Sequence, residues 1–370
     1  MVFYNSNILN LVVVGVVIVI IILFFSSFIL ISNNNFGHNT IITNAKDLLN
    51  LWSIQNIYAT EVTNVDTDLN TQYRKSEIYY KKDNDGGNSK NKYETSNFNF
   101  IAVGDWDCGD KTEDTLINII DQDPELVLAL GDLSYNGKAK CWLELIEPIA
   151  DKTKIVMGNH ESASSKLRKD YMNYFSLKEQ YYSFNYKNTH FLALSTEIPF
   201  DVESKQYEFA KQDLEKYSKD PFIDWIIVFY HRQIYGSASG SEHEDDFRKT
   251  YHPLFEKYKV DLALQGHFHV YERTYPITFN KNDNDKPLIH DSNPNIYKNP
   301  KGTIFVTIGT AGAKHITLSS IEDFSAEAID GKFGILDIVL EGDQKTLTGT
   351  FIENGKKKEV IDEFKIIKED

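Results

Sequence analysis

The chain has 370 residues, 41% hydrophobic and 25% charged, which is globular usage rather than disordered or collagen-like usage. Its 39 Lys+Arg against 54 Asp+Glu leave a formal net charge of −15, which argues against a nucleic-acid-binding surface and means that any phosphate ligand needs a local source of positive charge. Two cysteines exclude a disulfide scaffold and a Cys-rich zinc module, so a metal held by oxygen and nitrogen is the first candidate for that charge.

In chain order, the first feature is the uncharged run Ile8–Ile31. About 24 helical residues would span roughly 36 Å, more than the ~30 Å hydrocarbon core of a bilayer. The leading MVFYNSN carries no Lys or Arg and no small-x-small cleavage site follows, so residues 1–32 read as an uncleaved signal anchor rather than a cleaved signal peptide or a buried helix. The nearest cation on the C-terminal side is Lys46, so flanking charge does not set the orientation. Residues 33–96 turn to Asn, Asp, Lys, Ser and Thr, with KKDNDGGNSKNK at Lys81–Lys92, and read as a polar tether with a short helix around Ala45–Tyr58.

The ordered domain runs over residues 97–370. Strands are expected at Phe98–Asp105, Glu125–Asp132, Thr153–Asn159, Trp225–His231 and Val260–His267. Helices are expected at Thr112–Asp121 with Thr112 as N-cap, Trp142–Ala150, Ser204–Tyr217 and Glu244–Tyr258. Tyr181–Tyr186 and Thr189–Thr196 form a hairpin about Lys187-Asn188, and after Thr303 the pattern is mostly strand. Alternating β and α followed by strands predicts an α/β domain of two packed sheets with helices outside.

The polar residues fall at the ends of these strands. Gly104-Asp105, Gly131-Asp132, Gly158-Asn159-His160-Glu161 and Gly266-His267-Phe268-His269 each close an apolar run, and WIIVFY ends in His231. Ligands of open α/β sheets bind beyond the carboxyl ends of the strands, so the five clusters converge if the strands are parallel neighbours. A Gly-Asp pair alone is an ordinary turn. All five in order are a set of carboxylates, an amide, a phenol and imidazoles suited to metal ions.

The series GDWD, GDLSY, GNHE, VFYH and GHFH, with HVYERTYP after the last and GTIFVTIGTAGA beyond, resembles the five-block signature of purple acid phosphatases. These are a branch of the calcineurin-like metallophosphoesterases, and the likeness is to the small single-domain kind. It implies an acid phosphatase that cleaves phosphate monoesters by attack of a metal-activated hydroxide. Fe3+ would be held by Asp105, Asp132, Tyr135 and His269. A divalent Zn2+, Fe2+ or Mn2+ would be held by Asp132, Asn159, His231 and His267, with Asp132 bridging. Tyr135 is the most telling residue, because a phenolate favours a trivalent ion. One departure is Asp107, which stands where the first block usually has glycine.

His160 is the first choice for protonating the leaving group, and His243, in a Gly/Ser-rich loop, the second. Glu272 and Arg273 are expected to orient the GHFH turn, while His190, His252 and His315 read as structural. Cys108 and Cys141 lie in loops leaving adjacent motif strands, as a disulfide bracing the site or as two free thiols. Anchor and acid chemistry together place the catalytic domain outside the cell membrane, and no protein partner is inferable. The alternatives are a divalent-metal phosphodiesterase on the same scaffold and a tethered binding protein without turnover.

Overall fold

A computed structural model describes residues 97–237, 245–342 and 345–369. The expected anchor, the tether and His243 lie outside these residues. Among the described residues no helix is long and apolar enough to cross a membrane.

The elements run β1 (Phe98–Val103), α1 (Asp110–Gln122), β2 (Leu126–Ala129), α2 (Ala139–Leu145), β3 (Thr153–Ile155), α3 (Asn159–Ser162), α4 (Ser165–Tyr174), β4 (Tyr182–Tyr186), β5 (Thr189–Ala193), α5 (Lys205–Tyr217), β6 (Trp225–Arg232), α6 (Asp245–Lys257), β7 (Leu262–Gly266) and β8 (Tyr271–Thr274). Strands follow as β9 (Ile277–Thr278), β10 (Leu288–Ile289), β11 (Ile296–Lys298), β12 (Ile304–Ile308), β13 (Ser325–Ile329), β14 (Gly334–Leu340), β15 (Thr346–Glu353) and β16 (Val360–Ile367). One seven-stranded sheet has the order β11-β16-β15-β14-β1-β2-β3 and the other β13-β8-β12-β7-β6-β5-β4.

Period-two alternation explains the layers. In β5, Phe191 and Ala193 join Phe100, Ile227, Leu262 and Ile338 in the core between the sheets. Leu192 and its neighbour Leu194 point the other way and pack with Val228 and Tyr230 against Ala210 and Leu214 of α5 and Phe247 and Tyr251 of α6. Both faces of these strands are covered, which is why they read as unbroken apolar runs. Each such side chain contributes roughly 1.5–3 kcal/mol on burial.

The expected two-sheet architecture is present, with local differences. Thr112 does not cap a helix: α1 begins at Asp110 with Gly109 as N-cap, and the Thr112 hydroxyl bonds the Trp106 carbonyl. The helix expected at Trp142–Ala150 is α2 followed by a 3-10 turn at Glu147–Lys152, because Pro148 cannot donate to a continuing α-helix. Beyond β3 the chain turns, and Asn159 opens α3 rather than ending a strand. Helix α4 and strand β8 are not among the expected elements.

One buried carboxylate makes the sheet sensitive to pH. Asp337 of β14 lies opposite Ile101 of β1 and accepts from Asn99 Nδ2 at 3.2 Å. Burial pushes it up from 3.8 to about 6. The folded chain therefore holds a proton that the unfolded chain has lost, so this contribution falls as pH rises through that window and is flat above it. Asp337→Asn is expected to abolish that slope and to add roughly 2–3 kcal/mol at pH 7 and little at pH 4. Denaturant midpoints at the two pH values check this, and equal gains at both would contradict it.

Candidate metal centre

The five polar clusters do meet, but not as neighbours in one sheet. Strands β1, β2 and β3 are parallel in the first sheet, while β6 and β7 are parallel in the second. Their carboxyl ends are stitched together across the sheets. Gly104 N donates to Ile308 O at 2.8 Å, Ala313 N to Asp105 O at 2.9 Å, and His267 N to Asp105 Oδ2 at 2.8 Å.

The loops that carry the polar residues are strained where they turn. Asp105, Asp107, Asp132 and His267 have φ of 62°, 69°, 47° and 74°, a left-handed region that costs a non-glycine residue about 1–2 kcal/mol. Asp107 thus adopts a backbone that a glycine would take freely. Gly158 is needed for a different reason: a Cβ there would collide with Asp132 Oδ1 and its amide.

Two groups of side chains share Asp132. In the first, Tyr135 Oη lies 3.1 Å from Asp105 Oδ1, 2.9 Å from His269 Nε2 and 3.4 Å from Asp132 Oδ2. In the second, His231 Nε2 is 3.1 Å from Asn159 Oδ1 and 3.4 Å from Asp132 Oδ2. One ligand atom from each of Asp132, His231 and His267 falls within 4.8 Å of the others. Asp105 and Asp132 are fully buried.

Two of the imidazoles are held in a defined orientation. His231 Nδ1 donates to Leu130 O at 2.8 Å and His269 Nδ1 to Lys314 O at 2.6 Å, so each ring turns its Nε2 inward. These carbonyl partners left no trace in the sequence, since a backbone oxygen is the same at every residue.

The electrostatics favour a cation. Among the described residues, the ion-pair partners of Asp105 and Asp132 are histidines. Burial disfavours charge on Asp132, yet His231 outweighs it and holds the carboxyl well below its usual range. Burial also opposes charge on His231, and Asp132 overrides it, carrying the imidazole up to about 10. His267 is pushed down to about 4 by burial and by His231. Burial and then Asp105 and Asp132 drive the Tyr135 phenol far up. The donor set of two buried carboxylates, a phenol, an amide oxygen and inward nitrogens fits a pair of metal ions.

His160 stands at the mouth, its side chain 39% exposed, with Nε2 3.9 Å from Asp132 Oδ2 and its ring 4.2 Å from that of Tyr135. The structure joins Cys108 to Cys141, tying the loop after β1 to α2. His190 sits buried between Asn185 and Asp213, and His252 is buried against Tyr235, both away from the centre. His315 packs on Phe333 beside the His269 carbonyl.

Glu272 and Arg273 do not orient the GHFH turn. On opposite faces of β8, Glu272 accepts from Ser237 N at 2.7 Å and Arg273 reaches Asp362 in the other sheet. Glu161, given no role by the sequence, is fully buried and bonds the loops of both β2 and β3.

Residues 98–271 match the family model described as calcineurin-like phosphoesterase. The chain is 30% identical over 256 residues to purple acid phosphatase 22 of Arabidopsis thaliana, covering 63% of this chain and 55% of that protein. It is 31% identical over 225 residues to acid phosphatase type 7 of Mus musculus, covering 52% and 49%. The purple acid phosphatase PPD1 from yellow lupin (Lupinus luteus) seeds superposes with a TM-score of 0.64 at 26% identity, over 74% of this chain and 54% of that one. The chain therefore resembles purple acid phosphatases in sequence and in fold, and it spans about half the length of these curated relatives.

Proposed function

We propose that this purple acid phosphatase-like metallophosphoesterase hydrolyses small phosphate monoesters at acidic pH. Asp105, Asp132, Tyr135 and His269 would hold Fe3+, and Asp132, Asn159, His231 and His267 a divalent Zn2+, Fe2+ or Mn2+. The observation that carries the reading is the Tyr135 hydroxyl lying among Asp105, Asp132 and His269 within 3.4 Å, because a phenolate donor suits a trivalent ion. Held by these residues, two cations would supply the positive charge that an acidic chain lacks, and with it the means to neutralise phosphate oxygens and acidify a water.

The chain's own groups do the rest. Asp132, buried and bonded through Oδ1 to His160 N at 2.9 Å, turns Oδ2 to both halves of the centre. The His160 imidazole, partly exposed beside Asp132, would give its proton to the departing alkoxide. The run at 8–31 and the Cys108–Cys141 bond, which persists in an oxidising compartment, support a domain tethered outside the cell membrane.

The test is hydrolysis of an aryl phosphate monoester against the matching bis-ester across pH 4–8. The monoester is expected to be the better substrate, with its optimum below pH 7. A preference for the bis-ester at neutral pH would replace this reading with a divalent-metal phosphodiesterase on the same scaffold.

A further inference from the structure

The carboxylate of Glu161 is wholly buried and bonded to backbone amides. Its Oε2 accepts from Gly158 N at 2.9 Å and from Asp132 N at 2.9 Å, and its Oε1 accepts from Leu133 N at 3.0 Å. The bond to Gly158 is what an acidic residue at the third helical position ordinarily does for the start of its helix. The other two are not of that kind, because they cross from α3 to the loop after β2.

That loop returns the contact. Asp132 Oδ1 accepts from His160 N at 2.9 Å, so each loop's carboxylate binds the other loop's backbone amides. The exchange has two consequences for Asp132. Its left-handed backbone, φ 47°, keeps its amide partnered in a buried place where an orphan N–H would cost about 1–3 kcal/mol. Its carboxylate also loses a rotational choice: Oδ1 is committed to His160, which leaves Oδ2 for His231 and Tyr135.

We propose that Glu161 is the positioning residue of the centre: by clamping the amides of Asp132, Leu133 and Gly158 it fixes the orientation of the Asp132 carboxylate, and through His160 N the placement of the His160 ring. The proposal rests on the reading of Asp132 as a shared metal ligand. A carboxylate is required because three N–H donors converge on it. A glutamine offers one oxygen and one NH2 group, so at least one of the three amides would face another donor.

The test is Zn2+ titration by calorimetry of the full-length chain, wild type and Glu161→Gln, after removal of metal. Residues that orient metal ligands typically account for 10–100-fold in metal affinity or activity. Glu161→Gln is accordingly expected to weaken Zn2+ binding by about 10–100-fold. At saturating metal its kcat should fall about tenfold or more, with KM within about threefold, because orientation of the shared ligand and of His160 is lost rather than substrate contact.

Far-UV circular dichroism confirms folding. Should Glu161→Gln not fold, Glu161→Asp keeps the charge, cannot span both loops, and is expected to show the same loss of Zn2+ affinity. Zn2+ affinity and kcat within twofold of wild type in a folded variant would overturn the proposal. Failure of the wild type itself to bind Zn2+ would instead overturn the metal-centre reading on which it rests.

Discussion

His160→Ala is expected to lower kcat about 10²–10⁴-fold, the range of a positioned general acid, or ~2.7–5.4 kcal/mol of transition-state stabilisation, while leaving metal content unchanged. The separation is clean because the proposed proton donor and the bond to Asp132 lie on different atoms of His160. Its amide bonds Asp132 Oδ1 and survives the substitution, whereas the imidazole at the mouth is removed. The loss should shrink with a substrate whose leaving group is a good one, such as a nitrophenolate, because such an anion departs without a proton. Rates for an alkyl and a nitrophenyl monoester, with metal analysis on the same samples, decide it. An equal loss on both substrates would mean that the ring binds phosphate rather than delivering a proton.

The second large effect is on stability. Arg273 of β8 is fully buried and grips Asp362 of β16 through two bonds, Nε to Oδ2 at 2.7 Å and an Nη to Oδ1 at 2.8 Å. Its other Nη donates to Tyr297 of β11 at 2.8 Å, and the guanidinium carbon lies 4.8 Å from the ring centre of Phe364. Tyr271, on the same face of β8, donates to Asp362 at 2.7 Å. This network ties the second sheet to the first, directly after the GHFH cluster.

Removing one partner strands a buried charge, so Asp362→Ala is expected to cost about 3–5 kcal/mol, a large part of the ~5–15 kcal/mol that a domain has. Replacing both members with apolar residues, Arg273→Met with Asp362→Leu, should recover most of the loss. Denaturant unfolding of the two variants measures it. A cost below about 1 kcal/mol for Asp362→Ala would show that the guanidinium finds water or another acceptor.

These two cases mark what a sequence discloses and what it hides. Asp105, Asp132, His231 and His267 stand out in the sequence because each follows or ends an apolar run, and Asn159 because it follows the short run of β3, and the end of a strand is where a side chain can meet a ligand. The sequence does not say which strands share a sheet, and the five are divided between two. Arg273 looked local because Asp362 lies 89 residues away, and nothing in the spacing of either residue marks the pair. Glu161 was visible only as a letter in GNHE, since its partners are three backbone amides. Helix α4 escaped because SKLRKDYMNY buries only Leu167 and Tyr171, too thin an apolar stripe to read as a helix.

If Tyr135 completes a site for a trivalent ion, as proposed, the visible absorption spectrum of the full-length chain purified without chelator carries a broad tyrosinate-to-iron charge-transfer band that disappears in Tyr135→Phe. A colourless wild-type protein that nonetheless holds two metal ions would contradict it.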